Sequence, residues 1–150
     1  MKTIYFFIKA WLLVAVLDII AAMLSFYLST GKSPAIVLKF IASAVVGSDA
    51  YTGGLTSMLL GMVLHFLVAF LFTLFFFLVY KPLALYRYNV YLVGILYGMF
   101  IWLVMNKLVL PITSVMQQPF KWVEAGRAML ILITMIGLPL AFMLKKRQKI

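Results

Sequence analysis

Formal charge is almost absent from four long stretches of this chain, and that absence limits what it can fold into. The stretches are residues 10–31, 50–80, 88–106 and 128–144, and Asp18 is the only formally charged side chain within them. A helix needs about 17–25 mostly apolar residues to cross the hydrocarbon core of a bilayer, and each stretch supplies them. Backbone groups in lipid have no water to bond, so they must close their hydrogen bonds internally, as a helix does. The expectation is an all-α polytopic membrane protein. It is a single four-helix domain with spans at about 9–30, 55–80, 88–110 and 125–144. At 1.5 Å per residue the second span is about 39 Å long, so it should tilt or project beyond the core.

Composition agrees. The chain is 67% hydrophobic and 11% charged, against about 25% charged for a soluble domain. Its three acids, Asp18, Asp49 and Glu124, are too few to coat a water-facing surface. The net charge of +10 would suit nucleic acid if the basic residues shared one soluble face. They flank the apolar runs instead, so the lipid bilayer is the expected partner and nucleic acid is not. Without cysteine there can be no disulfide or thiolate metal site, and no metal or cofactor is expected. Lys2 and Lys9 ahead of an apolar run look like a signal peptide. The run over residues 10–31 is longer than usual and lacks a small-x-small cleavage site, so a retained first helix is expected.

Prolines and glycines punctuate the runs. Pro82 follows the second span, Pro111 ends the third, and Pro119 lies in the loop before the fourth. Pro139, close to Gly137 inside the fourth span, removes a backbone donor and should kink that helix. Ser33-Pro34 reads as a helix start and Gly47 as a stop. The helix between them, about 34–46, is too short to cross. It is expected to be interfacial on the outer side, with a re-entrant segment as the alternative. Four spans put both termini on one side. That side carries eight basic residues: Lys2, Lys9, Lys81, Arg87, Lys145, Lys146, Arg147 and Lys149. The other carries five: Lys32, Lys39, Lys107, Lys121 and Arg127. The excess places the termini in the cytoplasm.

Few polar groups enter the spans. Asp18 stands near mid-depth, where a carboxylate costs about 2.5–3.5 kcal/mol on insertion scales, so it should face the bundle. His65, the only histidine, lies at a similar depth in the second span. Its helix carries Gly53, Ser57, Gly61, Ala69 and Thr73 at four-residue spacing with it, a seam that allows close helix approach. A hydrogen bond between His65 and Asp18 is the sharpest expectation; a bond from His65 to a backbone carbonyl or hydroxyl is the plainer one. The third span carries a second seam, Gly94, Gly98, Trp102 and Asn106. Asn106 is expected to bond across helices. On the outer side, Asp49 or Glu124 should pair with Arg127 or Lys107, pinning loops or forming a polar vestibule above His65. The basic end, Lys145, Lys146, Arg147 and Lys149, suits anionic lipid headgroups. Aromatics at the span ends, Tyr5, Phe6, Phe7, Trp11, Tyr80, Tyr86, Tyr88, Tyr91 and Trp122, suit an interfacial belt.

One stretch has a familiar pattern. It runs through Ala44-Val45-Val46-Gly47, Gly53-Gly54, Leu60-Gly61 with His65, Tyr97-Gly98 and Val104-Met105-Asn106, up to Pro111. This resembles the YagU-like four-helix proteins of the bacterial inner membrane, and the resemblance implies that location. No recognised catalytic motif occurs: there is no phosphate loop, HExxH or GxSxG. The expected role is therefore non-enzymatic. The chain would be an accessory, structural or assembly component that packs against itself or another membrane protein through its glycine seams. The alternative is a small oligomeric transporter or channel using Asp18 and His65 as a proton- or cation-linked site.

Overall fold

A computed structural model describes residues 2–115 and 121–148, with Lys2 given by its backbone alone. Every regular element among them is helical. Four helices are long and apolar enough to cross a membrane: α1 (Lys2–Thr30), α3 (Gly54–Tyr80), α4 (Val90–Ile112) and α5 (Trp122–Gln148). A shorter helix, α2 (Ala35–Val46), lies between the first two spans. Gly47–Tyr51 continues it as a 3-10 turn toward α3.

The helices overrun the charge-free stretches. α1 begins well before residue 9, because nothing in residues 3–9 breaks a helix. Lys9 reaches back over the Tyr5 ring, 4.7 Å from its centroid. Charge marks where a bilayer would end, and caps or breakers mark where a helix ends. α4 shows the second rule. Its start is fixed by Asn89, whose side-chain oxygen accepts a hydrogen bond from the Tyr91 N–H at 2.8 Å.

Two prolines inside spans each follow a π turn. Met105–Val109 and Ile133–Gly137 are π-helical, and each is followed by Leu-Pro. The Leu110 N–H bonds the Met105 carbonyl, and the Leu138 N–H bonds the Ile133 carbonyl, five residues back in each case. A proline ring clashes with the carbonyl four residues before it. Widening the preceding turn moves that carbonyl aside without ending the helix. Pro111 therefore lies within α4, which runs one residue further. Pro119 falls outside the described residues.

A hydrophobic core fills the half of the bundle nearest the first turn of α1 and the last turn of α5. It gathers Ala10 and Val14 of α1, Phe76 and Tyr80 of α3, Val93, Tyr97 and Ile101 of α4, and Ile136, Leu140, Ala141 and Leu144 of α5. The first turn of α1 and the last turn of α5 meet there. Arg147 donates to Thr3 Oγ1 at 2.7 Å, and Lys145 donates to the Tyr88 carbonyl at 2.9 Å. Four aromatics expected in a belt turn inward instead. Phe7 meets Phe70 and Phe77 edge-on, Phe6 packs on Phe77, Trp11 packs on Phe66 and Phe70, and Tyr80 is buried. For the three on α1 the cause is its early start, which keeps these rings beside a neighbouring helix. Tyr5, Tyr86, Tyr88, Tyr91 and Trp122 remain exposed.

Candidate intramembrane polar site

Asp18 and His65 lie just beyond this core. Asp18 is one turn further along α1 than Val14, and His65 faces it from α3. The imidazole Nε2 lies 2.9 Å from the Ala15 carbonyl, and Nδ1 stands 4.0 Å from Asp18 Oδ2. The side chains are 10% and 14% exposed, for His65 and Asp18 respectively. A separation of 4.0 Å is an ion-pair contact and too long for a hydrogen bond. The direct His–Asp bond expected from the sequence is therefore not made. The ring bonds a backbone carbonyl and leaves its other nitrogen toward the acid.

A carbonyl only accepts, so the contact at Nε2 is a hydrogen bond in the tautomer that carries its hydrogen there. Nδ1 is left facing the acid without a hydrogen bond. Asp18 accepts no hydrogen bond from the described residues.

Four other polar side chains along the spans bond backbone carbonyls. The Trp11 indole donates to the Phe66 carbonyl at 2.9 Å, one residue from His65, and ties α1 to α3 a second time. Tyr97 donates to the Phe72 carbonyl and ties α4 to α3. Thr73 bonds the Ala69 carbonyl within its own helix. Asn106 does not bond across helices as its place in the seam suggests. It donates to the Trp102 carbonyl four residues back, at 2.9 Å, because a short amide in the π turn reaches its own backbone first. Trp102, on the same seam, buries its indole nitrogen with no hydrogen-bond partner among the described residues. Sequence pattern does not single out Trp11 and Tyr97 as inter-helix ties. For Tyr97 the one available signal is its place directly before Gly98 in the third-span seam.

The glycine seams are filled from within the chain. A Cβ at Gly61 would run into the Leu38 carbonyl, so this glycine lets α2 lie against α3. A Cβ at Gly94 would come within 2.8 Å of Leu138 Cα, and one at Gly98 within 2.5 Å of Ile133 Cα. Gly137, expected only to help the kink, meets the Gly94 carbonyl and completes this mesh. Ser57 is buried in the α3 seam. Gly53 is a correction: a Cβ there would meet the Ser57 hydroxyl of the helix it precedes, because Gly53 caps α3 and does not pack it.

The expected outer-side cluster does not assemble. Glu124 pairs with Lys121 at 2.9 Å, three residues before it, and both side chains are 62% exposed. Such a pair contributes little. Asp49, Lys107 and Arg127 form no ion pair among the described residues. Asp49 serves through its backbone carbonyl, which accepts from Thr52 and Gly53. Lys39 donates to the Tyr51 carbonyl at 3.0 Å, tying α2 to the 3-10 turn. At the other end of the bundle Lys146 is exposed, while Lys145 and Arg147 make the contacts given above. Lys149 lies outside the described residues. Among the described residues no group of three metal-ligating side chains comes together.

The chain matches no protein-family model, no curated protein and no solved structure. Length, hydropathy and the helical fold describe a multi-pass membrane protein with four spans.

Proposed function

We propose that this is a non-enzymatic integral membrane protein of the bacterial cytoplasmic membrane, with both termini in the cytoplasm. Its role is that of an accessory, structural or assembly component which packs against another membrane protein or a second copy of itself. The observation that carries this reading is the use made of the polar groups. Trp11, His65 and Tyr97 each bond a carbonyl of a neighbouring span, so they serve helix association. Two depressions, one between α1 and α5 and one beside Val90 and Phe142, are open surface grooves. Because Gly61, Gly94, Gly98 and Gly137 are filled internally, a partner would meet another face. One such face is the exposed α3 stripe Leu55, Leu59, Val63, Leu67 and Leu71. Location and orientation rest on the eight-to-five excess of basic residues and on the YagU-like pattern. Lys146 with its basic neighbours suits anionic headgroups on the cytoplasmic side. Purification in mild detergent, followed by mass spectrometry, should recover a stoichiometric membrane partner or a stable homo-oligomer. A lone monomer at every detergent tested would refute the reading.

One observation favours a second reading, a small proton- or cation-linked transporter. Asp18 and His65 stand 4.0 Å apart with a trace of exposure on each side chain. An acid and an imidazole side by side within the spans are the groups a proton- or cation-linked site would use. Liposomes carrying the protein and an internal pH dye should then show flux that Asp18→Asn abolishes. Equal dye responses from empty and loaded liposomes would remove this reading.

A further inference from the structure

The bundle carries an open groove at the end away from the termini. It has a volume of about 450 Å³ and runs between the last turns of α1 and the first turns of α5. Ala21, Leu24 and Leu28 line it from α1, and Leu130 and Ile131 from α5. Leu24, Leu28 and Leu130 are all more than half exposed. Three polar side chains join this apolar lining: Ser25, Ser29 and Arg127.

Arg127 is the unusual member. It is half-buried, and it makes no ion pair or hydrogen bond with the described residues. The nearest acid in sequence, Glu124, is held by Lys121. A guanidinium presents five donors and no acceptor. The Ser25 hydroxyl likewise has no partner among the described residues. Ser29 donates to the Ser25 carbonyl at 2.8 Å, so it offers only an acceptor. Arg127 and Ser25 thus bring unused donors to one groove, and an anion is the group that satisfies them.

Position along the helices narrows the anion. Arg127 comes early in α5, which starts at Trp122, and Ser25 and Ser29 come late in α1, which ends at Thr30. The polar groups therefore lie toward the rim. Ala21 and Ile131 lie further along their helices toward the middle of the bundle. A charged head at the rim over an apolar channel running inward is the shape of an amphiphile. Arginine binds phosphate bidentately. We infer that this groove holds one anionic phospholipid, its phosphate on Arg127 and Ser25 and one acyl chain along Leu24, Leu130 and Ile131. This site is separate from the basic C-terminal end and independent of the accessory and transport readings.

The test is native mass spectrometry of the full chain released from detergent with defined lipid. Lys145, Lys146, Arg147 and Lys149 are changed to Gln in every sample, which removes headgroup binding by the basic C-terminal run. Dioleoyl phosphatidylglycerol should be retained at one per chain under activation that strips dioleoyl phosphatidylcholine. Arg127→Gln should lower that retention about tenfold, the effect of losing a charged hydrogen-bonding partner. Ser25→Ala should lower it about threefold. Equal retention of the two lipids would overturn the proposal, as would undiminished retention by Arg127→Gln. Displacement of the lipid by millimolar inorganic phosphate would also overturn it, by showing a free-anion site. If Arg127→Gln does not fold, Arg127→Lys decides. It keeps the charge and loses the bidentate fork, so retention should fall partway, and unchanged retention together with an inert Ser25→Ala would end the proposal.

Discussion

The α1–α3 and α4–α5 contacts solve the same problem by opposite means. Two helices in lipid gain little from hydrophobicity, because the surrounding chains are as apolar as leucine. α1 and α3 are joined by side chains that cross the gap. Trp11 and His65 reach carbonyls on the facing helix, and Phe7 and Trp11 set their rings edge-on against Phe70. α4 and α5 are joined by removing side chains. Gly94, Gly98 and Gly137 bring the two backbones together, with a π turn on each helix. The first contact tolerates a polar gap, and the Asp18–His65 pair sits in it. The second is close-packed and leaves no room for one.

Damage to the two contacts should therefore differ in size. The largest effect should come from Gly137→Ala, whose Cβ has the Gly94 carbonyl and the Gly98 nitrogen in its way. Backbone cannot give as a side chain can. A loss of about 3 kcal/mol or more is expected from overpacking, read by denaturant titration in detergent micelles. A loss below about 1 kcal/mol would show that the α4–α5 mesh is looser than described.

On the polar side, His65→Ala removes one inter-helix bond and should cost about 1–2 kcal/mol, within the range for such bonds in membranes. Asp18→Asn keeps the volume of a side chain that accepts no bond from the described residues. It should change stability by less than about 1 kcal/mol, and a large loss would reveal a partner for the carboxylate. A small effect of the opposite sign should come from Gly126→Ala. That glycine is also helical, but its Cβ would meet nothing within 4 Å. Alanine should stabilise α5 by about 0.5–1 kcal/mol, and thermal melts of the two chains side by side would show it. Gly126 and Gly137 share one helix and one residue type, so they make the most direct test of the contrast.

The four spans are legible because hydropathy accumulates over many consecutive residues, and no partner is needed to read it. The short helix is legible from Ser33-Pro34 and Gly47, although its last turn continues as a 3-10 segment. The neighbourhood of Asp18 and His65 follows from matching depths in adjacent spans. Its geometry does not, because the choice between a carboxylate and a carbonyl turns on about 1 Å, the difference between an ion-pair contact and a hydrogen bond. The outer cluster fails for a related reason. Long charged side chains near a rim choose among several neighbours, and Glu124 takes the one three residues before it, Lys121. The π turns leave only an indirect trace, a proline inside an otherwise helical pattern. Glycine seams announce close approach but not the partner. For Gly61 the partner is α2, a helix too short to span.

The contact between Arg147 and Thr3 bears on how the chain can be rearranged. It holds the first and last turns of the bundle side by side. A short linker could bridge them without crossing the membrane. The order of the helices along the chain would then be a matter of where the ring is cut. Opened between α4 and α5, the permuted chain would begin at Trp122, carry α5 into α1, and still bring the same faces together.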